Sequence, residues 1–279
     1  MQLSLALDQT QSQTSLGPVP ARFGLASVVA VQARCVLTKP AGRLEGFDYS
    51  LNPYSGCAFG CSYCYAAFFV LDEKRENWGN WVEAKVNAVA LLRKANLRGA
   101  KLIMSSVTDP YQPLERRLGL TRAILEELVR QQPDFVVQTR GPLVTRDINL
   151  LRQFERVQVN MTVTTDDDRI RRLFEPCCAS IERRLNAITE VAKAGIPARV
   201  VLGPLLPVTD PAAFARRLAA TGCDIAFSKY FHVGPVRDFA SNTRPQALAL
   251  AKRLRWTEAR FTETLQTLRG ELHQLGVRC

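Results

Sequence analysis

From residue 101 onward the chain alternates between short apolar runs and amphipathic helical patterns, and that alternation restricts the fold more than any other feature. Strand-like runs fall at residues 47–51, 101–105, 135–139, 157–165, 198–202 and 224–230. Helical periodicity lies between them. Residues 121–131 carry Ile124, Leu125, Leu128 and Val129 on one stripe, and a shorter helix is expected near 147–154. Residues 180–194 open on Ser180 as an N-cap, place Ile181, Leu185, Ile188 and Ala192 on one face, and stop at Gly195 before Pro197. Asp210-Pro211 starts another helix with a cap and a first-turn proline. Strands joined through helices pair in parallel, so six such units form an α/β sheet closed or nearly closed into a barrel. The crossovers share one hand, which gathers the loops after each strand at one rim. That rim would bring together residues 57–64, 105–109, 140, 160–165 and 203–204.

Outside the alternating part the pattern is weaker. Residues 1–22, rich in Gln, Ser and Thr, are expected to be a mobile tail. Residues 26–37 suggest a strand in which Cys35 is a small buried side chain, and 39–46 are a loop punctuated by Pro40, Gly42 and Gly46. Residues 65–71 are expected to be helical. A second helix is expected to begin at Asn80 or Trp81, with Val82, Val86, Val89 and Ala90 on one face. Helices at 245–254 and 257–275 close the chain, the last with Phe261, Leu265, Leu268 and Leu272 in register.

Eight cysteines in 279 residues are too few for a disulfide scaffold, yet three stand within eight residues as Cys57-x3-Cys61-x2-Cys64. Three thiolates from one loop hold a metal centre but do not complete a four-sulfur cage, leaving one position open. A structural zinc would need a fourth ligand from a distant cysteine or one of only two histidines, and no second Cys-x2-Cys exists. Clustered thiols with no evident export signal point to a reducing cytoplasm, and no apolar run of about 18 residues is present to span a membrane. Hydrophobic residues make up 47% of the chain, enough for a full core. The 37 Lys and Arg against 26 Asp and Glu leave +11, a balance that suits a polyanionic partner such as nucleic acid.

The cysteine spacing, with Tyr63 just before the last ligand, resembles the cluster motif of the radical S-adenosylmethionine (SAM) superfamily. Asn52-Pro53-Tyr54-x-Gly56-Cys57, Cys64-Tyr65-Ala66 and Thr108-Asp109-Pro110-Tyr111-Gln112-Pro113 are similar to its spore-photoproduct-lyase-like branch. The resemblance, over roughly residues 33–230, implies a partial TIM-type barrel of about six βα units with a C-terminal helical extension. The boundaries expected are 1–22 for the tail, 23–235 for the barrel and 236–279 for the extension.

It also implies that Cys57, Cys61 and Cys64 ligate three irons of a 4Fe–4S cluster, that SAM chelates the fourth, and that an electron from an external flavodoxin- or ferredoxin-type reductant cleaves SAM to a 5′-deoxyadenosyl radical. By the same resemblance Tyr63 lies by the adenine, Ser105, Ser106 and Asp109 approach the methionine ammonium, Arg140 meets the SAM carboxylate, and Asn160 and Thr162 make a polar SAM contact. Tyr63 and Tyr65 would relay a hydrogen atom. Two departures stand out: Arg140 replaces a lysine, and Ser105 and Ser106 stand where the lyase has a cysteine hydrogen donor, so the substrate differs or is unknown. Glu175-Pro176 matches a step of the family, and the adjacent Cys177 and Cys178 are read as buried bystanders. Asp166-Asp167-Asp168 is expected to be the acidic start of a helix. The competing possibilities are a non-catalytic nucleic-acid-binding protein with a structural zinc or iron–sulfur site, and an electron-transfer protein, which would want a fully ligated cluster.

Overall fold

The computed structural model describes residues 16–40, 44–228, 230–231 and 242–279. In chain order its strands are β1 (Arg22–Phe23), β2 (Ala26–Val31), β3 (Leu37–Thr38), β4 (Tyr49–Leu51), β5 (Tyr54–Gly56), β6 (Trp81–Lys85), β7 (Lys101–Met104), β8 (Asp134–Thr139), β9 (Val157–Thr162), β10 (Ala198–Leu202) and β11 (Asp224–Phe227). The larger sheet has the order β11-β10-β9-β8-β7-β4-β3. From β4 to β11 every neighbour is parallel, and only β3 is antiparallel. These six parallel strands are the six runs expected from the sequence. The sheet ends at β11 and β3 instead of closing, so the fold is α/β with an open barrel.

Burial explains the pairing. Along β8, Phe135, Val137 and Thr139 are buried while Asp134, Val136 and Gln138 are half-buried, the period of two of a strand covered more on one face. The helices Leu120–Gln131, Ile181–Lys193 and Pro211–Ala219 supply the covering apolar faces. Their starts carry the caps expected: Ser180 Oγ accepts from the Arg183 N–H at 3.3 Å, and Asp210 Oδ1 from the Ala213 N–H at 2.9 Å. The acidic triplet likewise opens the helix Asp168–Phe174, with Asp167 Oδ1 accepting from the Arg169 N–H at 2.7 Å.

Several expectations need correction. No helix begins at Asn80 or Trp81. Residues 81–85 form β6, parallel to β2 and antiparallel to β5, and the helix starts later as Ala88–Leu92. Of the apolar spacing, Val82 lies in β6, Val89 in the helix and Val86 in the turn between them. Asn87 marks the break, clamping Ala33 through its side-chain oxygen and nitrogen, both at 2.9 Å. Residues 65–71 form only a 3-10 turn, Tyr65–Phe69, and the motif residues Tyr54–Gly56 before the cysteines form β5. Cys35 and Cys177 are exposed, not buried.

Of the expected tail, residues 1–15 lie outside the described residues, whereas Leu16 and Val19 pack on the core. In the C-terminal extension, Pro245–Arg253 and Glu258–Gln274 are helices. The second packs on Pro211–Ala219, and its end returns to β11 through the Ile225 N–H to the Arg278 carbonyl at 2.9 Å. No helix of the described residues is long and apolar enough to cross a membrane.

Candidate active site at the cysteine loop

The cysteine loop leaves β5 at Gly56, whose φ of +74° suits glycine. A Cβ there would also lie 2.5 Å from the Trp81 carbonyl oxygen. Two separate segments, residues 108–112 and the end of the helix Asp168–Phe174, then fasten the loop with three hydrogen bonds. Thr108 Oγ1 donates to the Gly56 carbonyl at 2.6 Å, the Ala58 N–H donates to Gln112 Oε1 at 2.8 Å, and the Ser62 N–H donates to the Phe174 carbonyl at 2.8 Å. Asn52 Oδ1 accepts from the N–H groups of Ser106 and Val107 at 3.0 and 3.1 Å, which ties the segment after β4 to the segment after β7. Thr108 and Gln112 therefore act as fasteners of the loop that carries the thiols.

All three cysteines are free thiols. Burial pushes Cys57 well above the ordinary thiol range, with Asp109 and Cys61 adding to it, and burial beside Cys61 takes Cys64 to about 11. Cys61 goes the other way. A hydrogen bond from Cys178, whose Sγ lies 3.8 Å away, and the nearby Arg140 hold it below the ordinary value despite burial. Arg140 Nη1 donates to Cys61 Sγ at 3.2 Å. Among the described residues no three Cys, His, Asp or Glu side chains converge as the ligands of a single metal ion. Three soft sulfurs on one loop beside a cation fit a cubane, which takes each thiolate on a different iron.

Beneath the loop lies a buried ionic core centred on Glu175, which is 0% exposed. Its Oε1 accepts from Arg140 Nη1 and Thr164 Oγ1, both at 3.1 Å, and from the Tyr63 hydroxyl, while Oε2 pairs with Arg184 Nη2. Burial alone would raise this carboxyl, but Arg184 and Arg140 outweigh it and hold it below the ordinary range. Arg140 Nη1 also donates to the Tyr63 hydroxyl, and its guanidinium lies 5.5 Å from the Tyr63 ring centroid. Burial raises the Tyr63 phenol, although Arg140 opposes it.

The remaining expected site residues divide into two groups. Asp109 is buried and already engaged: Thr139 Oγ1 and the Tyr111 N–H donate to Oδ1 at 2.6 and 2.9 Å, and the Arg140 N–H donates to Oδ2 at 2.8 Å. Burial raises its carboxyl, partly offset by Thr139 and Arg140. Ser106 Oγ meets Ser50 Oγ at 2.6 Å, its carbonyl accepts from the Tyr65 hydroxyl, and Ser105 Oγ reaches the Leu51 carbonyl at 3.4 Å. These residues stand together with the cysteine loop. Asn160 and Thr162 instead bond along the sheet, Asn160 Oδ1 to Gln158 Nε2 at 2.6 Å and Thr162 Oγ1 to Gln138 Nε2 at 2.9 Å.

Asn52, Thr108 and Gln112 stand out in the sequence only as members of the matching motifs, without a role, and Arg184 does not stand out at all. For Arg184 a clue was present: it shares the apolar face of its helix with Ile181, Leu185 and Ile188, where a charge is costly unless paired. Cys178, read as a bystander, touches Cys61.

Comparison with known proteins agrees with this geometry. An uncharacterized protein of Methanocaldococcus jannaschii is 32% identical over 165 residues, 59% of this chain and 63% of that protein. An uncharacterized protein of Mycobacterium tuberculosis is 30% identical over 175 residues, 59% of this chain and 52% of that protein. The chain thus spans between half and two-thirds of the length of these relatives. A radical SAM Nalpha-GlyT isomerase of Pseudomonas phage M6 is 26% identical over 195 residues, 66% of this chain and 39% of that protein. Among solved structures, a cysteine-to-serine variant of spore photoproduct lyase superposes with a TM-score of 0.59 at 16% identity, covering 88% of this chain and 84% of that one. A variant of the same lyase bound to SAM and a dinucleoside spore photoproduct superposes with a TM-score of 0.57 at 16% identity, covering 91% and 86%. The lyase likeness establishes the fold. The profile of the radical SAM superfamily matches residues 51–218, more than half of the chain, and the chain belongs to this superfamily of enzymes.

Proposed function

We propose that Cys57, Cys61 and Cys64 hold three irons of a 4Fe–4S cluster and that SAM completes its fourth corner. When bound, the cluster and SAM supply a 5′-deoxyadenosyl radical, made with one electron from an external flavodoxin- or ferredoxin-type reductant, that takes a hydrogen atom from the substrate. The observation that carries this assignment is the trio of free thiols on one fastened loop at the open end of the parallel sheet, with Arg140 against Cys61.

The chain's own residues do the positioning. Asn52, Thr108 and Gln112 hold the loop, and Glu175 with Arg184 fixes Arg140 and the Tyr63 ring beside it. Ser105, Ser106 and Asp109 offer oxygens toward the SAM ammonium from the rim, and Asn160 and Thr162 offer polar groups from β9. Arg140 is assigned to the SAM carboxylate, for which it would exchange part of its present bonding. Tyr63 and Tyr65 flank Cys64 as phenols for hydrogen-atom relay. Residues 23–235 form the catalytic unit in this proposal, and 236–279 an extension whose helices Pro245–Arg253 and Glu258–Gln274 pack against it.

The substrate class proposed is nucleic acid, supported by the net charge of +11. Anaerobic reconstitution tests the assignment: the chain should bind iron and sulfide and release 5′-deoxyadenosine with SAM and dithionite. One zinc per chain with neither iron nor sulfide would overturn it in favour of a structural site.

A further inference from the structure

Among the described residues three arginines are buried: Arg171, Arg184 and Arg244. Arg184 pairs with Glu175, and Arg171 pairs with Asp168 at 2.7 Å and donates to two carbonyls. Arg244 differs. It is 6% exposed, and among the described residues its side chain makes one hydrogen bond, from Nη2 to the Arg75 carbonyl at 3.4 Å. No carboxylate of the described residues pairs with it. A guanidinium removed from water without an anion is costly, so a chain that keeps one there has an anion for it to face.

The position of Arg244 shows which anion that is. It stands directly before the helix Pro245–Arg253, beyond residue 218 where the superfamily match ends. That helix packs on Asp168–Phe174, whose last carbonyl takes the Ser62 N–H between Cys61 and Tyr63. Arg75, whose carbonyl it meets, donates from Nε to the Ala67 carbonyl at 3.3 Å, and the Ala67 N–H in turn reaches the Cys64 carbonyl at 3.4 Å, which sets Arg244 behind the segment that carries the last thiol. Nearer the loop the charges already balance, since Arg140 and Arg184 face Glu175 and Asp109. Among the buried arginines of the described residues, Arg244 is the cation left over. A cluster held by three thiolates is a net anion and gains a further negative charge on reduction, and its potential follows the charge around it.

We propose that Arg244 is the counter-cation of the cysteine-held cluster, a positioning residue supplied by the C-terminal segment that favours entry of the electron. This rests on the cluster assignment above. The test uses the full chain, reconstituted anaerobically as wild type, R244K and R244Q, with iron and sulfide measured first and the midpoint potential then titrated spectroscopically without SAM. R244Q should shift to a more negative potential, while R244K, keeping the charge, should stay near wild type. R152Q, at an exposed site, serves as the unshifted control. A fully loaded R244Q with the wild-type potential overturns the proposal, as does R244K shifting as far as R244Q. If R244Q melts like wild type yet loses its iron while R244K keeps it, the counter-cation role is upheld. A wild-type chain that takes up no iron or sulfide refutes the cluster assignment itself, which separates the two failures.

Discussion

Two buried acid–arginine clusters sit in this molecule, and they behave oppositely. Around Glu175, one carboxylate faces two guanidiniums, Arg184 and Arg140, and is held below the ordinary carboxyl range although burial pushes the other way. Around Glu115, one guanidinium is shared: Arg146 Nη2 lies 2.7 Å from Glu115 Oε1 and equally 2.7 Å from Asp147 Oδ2, and Arg122 Nη1 pairs with Asp147 Oδ1 at 2.7 Å. Burial then wins, and Glu115 is raised despite the Thr121 N–H and the Tyr54 hydroxyl. Only the first cluster touches the thiols, through Arg140 and Tyr63. The second fastens the strand β5 to the helix Leu120–Gln131 through Tyr54 and Thr121. A carboxylate that holds two guanidiniums thus stands beside the thiol loop, whereas one that shares its single guanidinium with a neighbouring acid forms a structural joint.

The largest effects should come from the sulfurs. C57A, C61A and C64A should each lose nearly all iron and acid-labile sulfide after reconstitution, while C178A should retain both. Thiolates on different irons of a cubane point apart, so a sulfur 3.8 Å from Cys61 is not placed at another corner. Metal analysis decides the matter: a C178A chain as empty as C61A would make Cys178 a fourth ligand and remove the open corner.

Next come the two glutamates. E175Q leaves Arg184 and Arg140 without their shared anion, at a cost of about 3–5 kcal/mol. E115Q keeps acceptors for Tyr54 and Thr121, and Arg146 keeps Asp147, so about 1–2 kcal/mol is expected. Guanidinium-induced unfolding of the two variants checks the order.

Their pH dependence should run in opposite directions. Glu175 is lowered in the folded chain, so its contribution is present above the ordinary carboxyl pKa and disappears as pH falls through its folded value; the E175Q deficit should shrink on acidification. Glu115 is raised, so its contribution is full below the ordinary pKa and is lost as pH rises through its folded value; the E115Q deficit should shrink as pH rises toward neutrality. Melting curves across that range that move in parallel would dissolve the contrast.

Much of this arrangement could be read in the sequence because it follows local rules. The six parallel strands, the caps at Ser180 and Asp210 and the thiol triplet each rest on a short pattern whose physics does not depend on distant partners. What escaped depends on such partners. Residues 81–85 have helical apolar spacing but become a strand because β2 and β5 offer edges on both sides. Glu175 reaches Arg140 and Tyr63 across 35 and 112 residues of chain, and Arg244 reaches Arg75 across 169, separations at which sequence periodicity carries no information. The site was therefore legible where its thiols cluster and illegible where it balances charge.

The smallest effects should fall on the two tyrosines that flank Cys64, and they sharpen the same contrast. The Tyr63 hydroxyl donates to Glu175 and accepts from Arg140, so Y63F removes hydrogen bonds to charged, buried groups, at a cost of about 1.5–3 kcal/mol. The Tyr65 hydroxyl donates to the Ser106 carbonyl, a neutral acceptor in a half-buried place, and Y65F should cost about 0.5–1.5 kcal/mol. Denaturant midpoints measure both. Because Tyr63 stands inside the ionic core and Tyr65 outside it, combining each with E175Q distinguishes them further: Y63F should add less in that background than alone, whereas Y65F should add its full cost. Equal additivity for both tyrosines would mean that the Glu175 core does not act as a unit, and the difference between the two buried clusters would then reduce to their neighbours one pair at a time.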